Sequence, residues 1–88
     1  MYWDVVTLQA IAPRTLQVSF ADGLTGIVFI DESFCMGVFT ALKEDAVISS
    51  AFIKNGVVTW ANGLDLAPDT MHKAIQNSPQ RHYVIKRP

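Results

Sequence analysis

Residues 15–20 alternate strictly, with Leu16, Val18 and Phe20 apolar and Thr15, Gln17 and Ser19 polar. A period of two puts the two sets on opposite faces of a strand, one for a core and one for water. Asp22-Gly23 follows, and both residues tolerate the positive φ of a tight reversal. The returning strand, residues 24–31, differs in kind. Ile27 and Phe29 point one way and Val28 and Ile30 the other, so both of its faces are apolar. Such a strand is central in its sheet or covered on its second side.

The rest of the chain extends this hairpin. Residues 2–11 are rich in Val, Ile, Trp and Tyr and read as a first strand. Ala12-Pro13-Arg14 ends it, because proline cannot donate to a ladder. In residues 32–50, Phe34, Val38, Phe39 and Leu42 suit a short helix on the sheet. Lys43-Glu44-Asp45 marks a polar corner, and residues 46–50 add one helical turn. Residues 51–54 and 57–60 read as a second hairpin around Asn55-Gly56. A helix then runs from Pro68 to Gln76, with proline at its first position and Asp69 near its positive end. Met71, Ala74 and Ile75 are spaced for a buried face, leaving His72, Lys73 and Gln76 outward. Asn77-Ser78-Pro79 stops it. The expected fold is α+β with a mostly antiparallel sheet, in the order β-β-β-α-β-β-α. Residues 1–78 form a single domain and residues 79–88 a basic tail. Within that tail Tyr83-Val84-Ile85 has strand character, suited to a sheet edge.

Eighty-eight residues support one modest core, burying roughly 60–65 % of the unfolded surface. Half of them are apolar and only 17 % are charged, so part of the apolar surface calls for cover by another chain. Charge is uneven. Residues 1–77 carry Arg14, Lys43, Lys54 and Lys73 against all eight acids, a balance of −4. The last eleven residues carry Arg81, Lys86 and Arg87 and no acid, which brings the net to −1. An acidic body with a short basic tail argues against broad nucleic-acid binding by the body. A single cysteine, Cys35, forms no internal disulfide and points to no oxidising compartment. The N-terminus lacks the features of a signal peptide, and no stretch reaches the length of a membrane-spanning helix. The chain reads as cytoplasmic, with no membrane partner.

Two motifs now stand out, Leu16-Gln17-Val18-Ser19-Phe20-Ala21-Asp22-Gly23 and Trp60-Ala61-Asn62-Gly63-Leu64-Asp65-Leu66-Ala67-Pro68-Asp69. In them the chain resembles a small bacterial family catalogued as a domain of unknown function (number two-four-four-two). That family carries L-x-V-x-F-x-D-G and W-x-N-G-x-D-L-x-P-D in the same order, across most of residues 5–75. The resemblance implies a β-rich α+β fold and no established activity. It also implies a small uncharacterised neighbour protein and, from that, a toxin–antitoxin role. Some members continue into a helix-turn-helix domain; this chain ends at Pro88, so DNA binding by that extension does not transfer. The family's aromatic residue near Ile48 is absent here, a departure expected to affect packing only.

Three groups of residues are candidates for function. Tyr2, Trp3, Ile27 and Phe29, with the Val28/Ile30 face and Trp60, are candidates for a protein contact, which favours large rings; Trp60 at a strand end equally suits the core. Asn62, Asp65 and Asp69 form a polar turn that either meets a ligand or serves geometry. Carboxylates there would repel an anion, whereas turns and helix starts use Asn, Asp and Gly routinely. Arg81, Tyr83, Lys86 and Arg87 interleave a ring with bases, a pattern for weak, salt-sensitive nucleic-acid contact.

Catalysis has little to stand on. Cys35 lies in the apolar run Ser33-Phe34-Cys35-Met36-Gly37-Val38-Phe39, a setting that makes a thiol inert. His72 and His82 lack neighbouring nucleophiles, the histidine and cysteine spacing matches no metal pattern, and no phosphate loop is present. The expectation is a non-enzymatic protein without metal or cofactor. Its role is protein–protein contact, with a copy of itself and another small protein as partners. The alternative is a weak nucleic-acid-binding regulator.

Overall fold

A computed structural model describes residues 1–34, 45–61 and 63–86 of the chain. The strands are β1 (Val5–Ala12), β2 (Thr15–Phe20), β3 (Thr25–Ile30), β4 (Phe52–Lys54), β5 (Val57–Thr59), β6 (Asp65–Leu66) and β7 (His82–Ile85). A 3-10 turn spans Glu32–Phe34, and the helices are α1 (Asp45–Ile48) and α2 (Pro68–Gln76). The fold is α+β, as expected, with β6 added to the expected order; β7 is the C-terminal strand expected around Tyr83-Val84-Ile85. The helix expected from Val38, Phe39 and Leu42, the corner at Lys43-Glu44, and Cys35, Asn62 and Arg87 lie outside the described residues.

A four-stranded sheet has the order β1-β2-β3-β7. Its neighbours are antiparallel except β3 and β7, which run parallel, with Ile27 opposite His82 and Ile30 opposite Ile85. β3 is therefore central, which is why both of its faces are apolar. A smaller sheet, β4-β5-β6, is antiparallel throughout. The amide of Val5 donates to the carbonyl of Gly56 at 2.9 Å and ties the two sheets together.

The alternation in β2 sorts residues as its period requires. Leu16, Val18 and Phe20 are buried on the inner face, where Leu16 pairs with Val28 and Val18 with Gly26. Val58, Trp60 and Leu66 of the second sheet join them, together with Ile48, Met71, Ile75 and Ile85. α2 covers this face closely. A Cβ on Gly26 would lie 2.5 Å from Ile75 Cγ2 and 2.9 Å from the carbonyl oxygen of Arg81. Glycine is what permits that approach.

Two loops share one geometry. The amide of Phe20 donates to Leu24 O and that of Gly23 to Phe20 O; likewise Trp60 to Leu64 O and Gly63 to Trp60 O. Gly23 and Gly63 have φ of 92° and 90°, in the left-handed region that closes a three-residue loop. Asn55, with φ of 52°, makes the tighter reversal expected of Asn-Gly.

Three local readings are corrected. The first strand starts at Val5, because residues 1–4 form a turn in which the Asp4 amide donates to Met1 O. It continues through Ala12, and register shifts leave Val6 and Ile11 exposed on its bulged edge. His72 points inward and is 3 % exposed, whereas the helical spacing placed it in water; its reason is given below. Trp60 is 2 % exposed and belongs to the core, so it offers no contact surface.

Candidate functional site

The outer face of the four-stranded sheet holds the residues that alternate away from the core. Ile27 and Phe29 on β3 are half-buried there. Val84 on β7 stands directly opposite Phe29 and is 46 % exposed. On the other side Thr15 faces Phe29 and Gln17 faces Ile27, so an apolar patch runs across two strands beside a hydroxyl and amide border. The guanidinium of Arg14 lies 5.7 Å from the centre of the Phe29 ring, within reach of a cation–π contact, and its Nε donates to Ile30 O. Asp31 follows β3. Hydrogen bonds from Ser33 hold its carboxyl below the ordinary carboxylate value, and the charges of Arg14 and Lys86 add to that. Thus both cations belong to this end of the sheet. α2 and the second sheet lie against the opposite face, around Gly26, Val28 and Ile30.

The other sequence candidates fall in separate places. Tyr2 is exposed and Trp3 half-buried, their rings meeting edge to face at 4.8 Å. Asp65 sits exposed on β6, opposite Thr59, and Asp69 sits exposed in the first turn of α2. They line different clefts, Asp65 beside Leu66 and Thr70, Asp69 beside His72 and Lys73. That placement gives no support to a shared polar site, and Asn62 lies outside the described residues. Nor does Asp65 cap the helix: the N-cap is Ala67, which has no side-chain bond, and Pro68 at the helix start needs no acceptor.

The basic tail is also divided. Arg81 is held by its Nη1, which donates to the carbonyls of Gln76 at 2.8 Å and Ser78 at 3.1 Å. It closes the end of α2, a common use of arginine at a helix C-terminus. Tyr83 turns toward the core and is half-buried, while Lys86 is exposed. β7 itself is a full member of the sheet. Tyr83, the ring that was to interleave these cations, is therefore not free to stack on a base.

The functional group that sequence reasoning misses is the pair His72–Asp22. His72 Nε2 lies 2.7 Å from Asp22 Oδ2, joining α2 to the loop between β2 and β3. Its ring meets Phe20 edge to face at 4.9 Å and Tyr2 at 5.0 Å. The other Asp22 oxygen accepts the amide of Leu24 at 3.0 Å. Leu24 first and His72 second hold the Asp22 carboxyl below its ordinary value. A signal for this existed. Pro68, Met71, His72 and Ile75 lie on one helical stripe, so the histidine borders the core face by spacing alone.

The sign of the pH effect follows from that lowered value. A carboxyl lowered on folding contributes stability that is complete above its unfolded pKa and is lost as pH falls through the folded one. Acid unfolding measured by circular dichroism should therefore steepen below about pH 4. In Asp22→Asn that part of the slope should disappear, leaving the contribution of Asp31. An unchanged profile would mean that the Asp22 contacts do not form in solution.

Among the described residues no three His, Cys, Asp or Glu side chains are placed to hold a metal ion. No described helix is long and apolar enough to cross a membrane. No curated protein matches the chain, and no solved structure does. A family model described as "protein of unknown function (DUF2442)" matches residues 5–77. That span runs from the start of β1 past the end of α2 and includes both shared loops, so the chain belongs to the DUF2442 family.

Proposed function

We propose that this domain is a non-catalytic protein–protein interaction module that binds through the outer face of its four-stranded sheet. The observation that carries this reading is the Ile27–Phe29–Val84 patch, contiguous across β3 and β7 and lying on the face turned away from the core. Such a patch with a polar border has the composition of an interface centre and rim. Its charge favours one kind of partner. Arg14 and Lys86 stand at this end of the sheet while the body of the chain is acidic. A partner with an acidic border complements that pattern, whereas a second copy docking by the same face would bring like charges together. The finer reading is a bacterial, cytoplasmic module that neutralises a small neighbouring protein, as an antitoxin does. Nucleic acid is the weaker reading, because Arg81 is committed to closing α2 and Tyr83 is turned inward.

Phe29→Asp is the discriminating variant. The side chain is only half-buried, so the domain should stay folded by circular dichroism. Capture of the partner by the tagged, nuclease-treated protein should weaken by ~30-fold or more, the effect of losing an interface anchor. Capture unchanged by a folded variant would move the interface off this face. Capture that nuclease abolishes would put the basic tail in its place.

A further inference from the structure

We propose that the outer edge of β7 takes an extended segment of a partner protein as a fifth strand, whose apolar side chains enter the cleft between β7 and α2. This goes beyond the outer-face contact, since it rests on the main chain of β7 and on the inner side of the sheet.

The direction of the backbone groups follows from two hydrogen bonds. The amide of Ile27 donates to Arg81 O at 2.9 Å and that of Asp31 to Ile85 O at 2.8 Å. Along a strand the N–H and C=O of one residue point to the same side, and the side changes at every residue. Arg81, Tyr83 and Ile85 therefore turn their main chain toward β3, and His82, Val84 and Lys86 turn theirs away. β7 is last in the sheet order, so no strand meets that second side among the described residues. The His82 amide donates to Ser78 Oγ at 3.1 Å, which closes the start of the edge. The N–H and C=O of Val84 stand at its middle, and an added strand satisfies both at once. The opposite edge of the sheet suits this less well. β1 is irregular at two points and its Val5 amide is already given to Gly56 O, whereas β7 keeps its register with β3 over all four residues.

The cleft says what the segment carries. It has a volume of about 190 Å³, and Tyr83 and Ile85 line it together with Phe34, Leu66 and Met71. Val28 and Ile30, opposite those two residues on β3, do not line it, so it opens toward the edge. Residues of an added strand that stand opposite Tyr83 and Ile85 share their face and lie over this cleft. They are bulky and apolar. Asp65 is the one charge among the described residues lining it, and it turns an acidic side chain away. The residue between them, opposite Val84, shares the outer face with Phe29 and is apolar as well. The residue opposite Lys86 is acidic, because Lys86 is exposed at the end of the edge. A second copy does not meet these conditions. Antiparallel pairing about Val84 would set His82 of each chain opposite Lys86 of the other, a base against a base, and residues 82–86 contain no acid.

The peptide Thr-Glu-Leu-Val-Leu-Glu-Thr, which reads alike in both directions, is the probe. In either orientation its valine stands opposite Val84, with a leucine on each side and a glutamate opposite Lys86. In the free full-length ¹⁵N-labelled chain the Val84 amide should exchange with solvent about tenfold or more faster than those of Tyr83 and Ile85. The peptide should bind saturably, shift residues 82–86 and Met71, and slow the Val84 amide by about tenfold or more. Val84→Pro removes that N–H without touching the bonds between β3 and β7, and an outward edge position tolerates proline. The variant should stay folded by circular dichroism and bind the peptide about tenfold or more less tightly. Val84→Ala keeps the N–H and should lose about threefold at most. A peptide with serine for both leucines should bind about tenfold or more less tightly, since the cleft stays empty. Folded Phe29→Asp should still take the probe and slow the Val84 amide, so the edge and the outer face can fail separately. The proposal is overturned by a Val84 amide already protected in the free chain, by equal binding to Val84→Pro, by equal binding of the serine peptide, or by the absence of saturable binding.

Discussion

Replacing Trp60 with alanine is expected to remove about 3–5 kcal/mol of folding stability. The side chain is 2 % exposed at the end of β5, and its indole Nε1–H donates to the Ile48 carbonyl at 3.3 Å. Alanine leaves a cavity among Val58, Leu66 and their neighbours, and it removes one of two hydrogen bonds that the Ile48 carbonyl accepts, the other coming from the Ala51 amide at 3.1 Å. Domains are stable by only about 5–15 kcal/mol, with short ones at the lower end. The variant should therefore stand close to unfolding at room temperature. Trp60→Phe separates the two causes, since it keeps most of the volume and loses the N–H. Its expected cost is about 1–2 kcal/mol. Urea titration followed by circular dichroism measures both. A loss below about 1 kcal/mol for alanine would contradict the burial itself.

What sequence alone reveals depends on how local the cause is. β2 and β3 were legible because alternation and Asp22-Gly23 are local signals, and Asn55-Gly56 marked the β4–β5 reversal for the same reason. The mixed faces of β3 also revealed Ile27 and Phe29, the centre of the proposed contact face. β6 was not read, since two residues carry no period. Its loop nevertheless announces it: Phe20-Ala21-Asp22-Gly23-Leu24 and Trp60-Ala61-Asn62-Gly63-Leu64 match position by position in residue type. The second therefore signals a hairpin as clearly as the first. The parallel pairing of β7 with β3 had no local signature, because it depends on how α2 returns the chain. His72 failed for the same reason. A histidine at the border of a helical stripe looks wet until its partner is known, and Asp22 is fifty residues away. The edge-to-face contact of Tyr2 with His72 likewise joins residues from opposite ends of the chain and forms only in the fold.

The closest approach in the core supplies the other large effect. Gly26→Ala is expected to cost about 2–3 kcal/mol, as overpacking does. The added methyl would meet Ile75 Cγ2 at 2.5 Å, Ile75 Cδ1 at 2.8 Å and Arg81 O at 2.9 Å. None of these can retreat easily. Ile75 is completely buried, and Arg81 O accepts the Ile27 amide at 2.9 Å within the β3–β7 pairing. Ile75→Ala alone should cost about 2–4 kcal/mol through the cavity it leaves. The double variant tests the mechanism, because each change removes part of the fault in the other. Alanine at position 26 then meets free space where Ile75 stood, and the cavity is partly filled. The double variant should be more stable than the sum of the single losses predicts, by about 1 kcal/mol or more. The rescue stays incomplete, since the Arg81 carbonyl is backbone and does not move with the mutation. Strict additivity would place the cost of Gly26→Ala on that carbonyl, and so on the pairing of β7 rather than on the seat of α2.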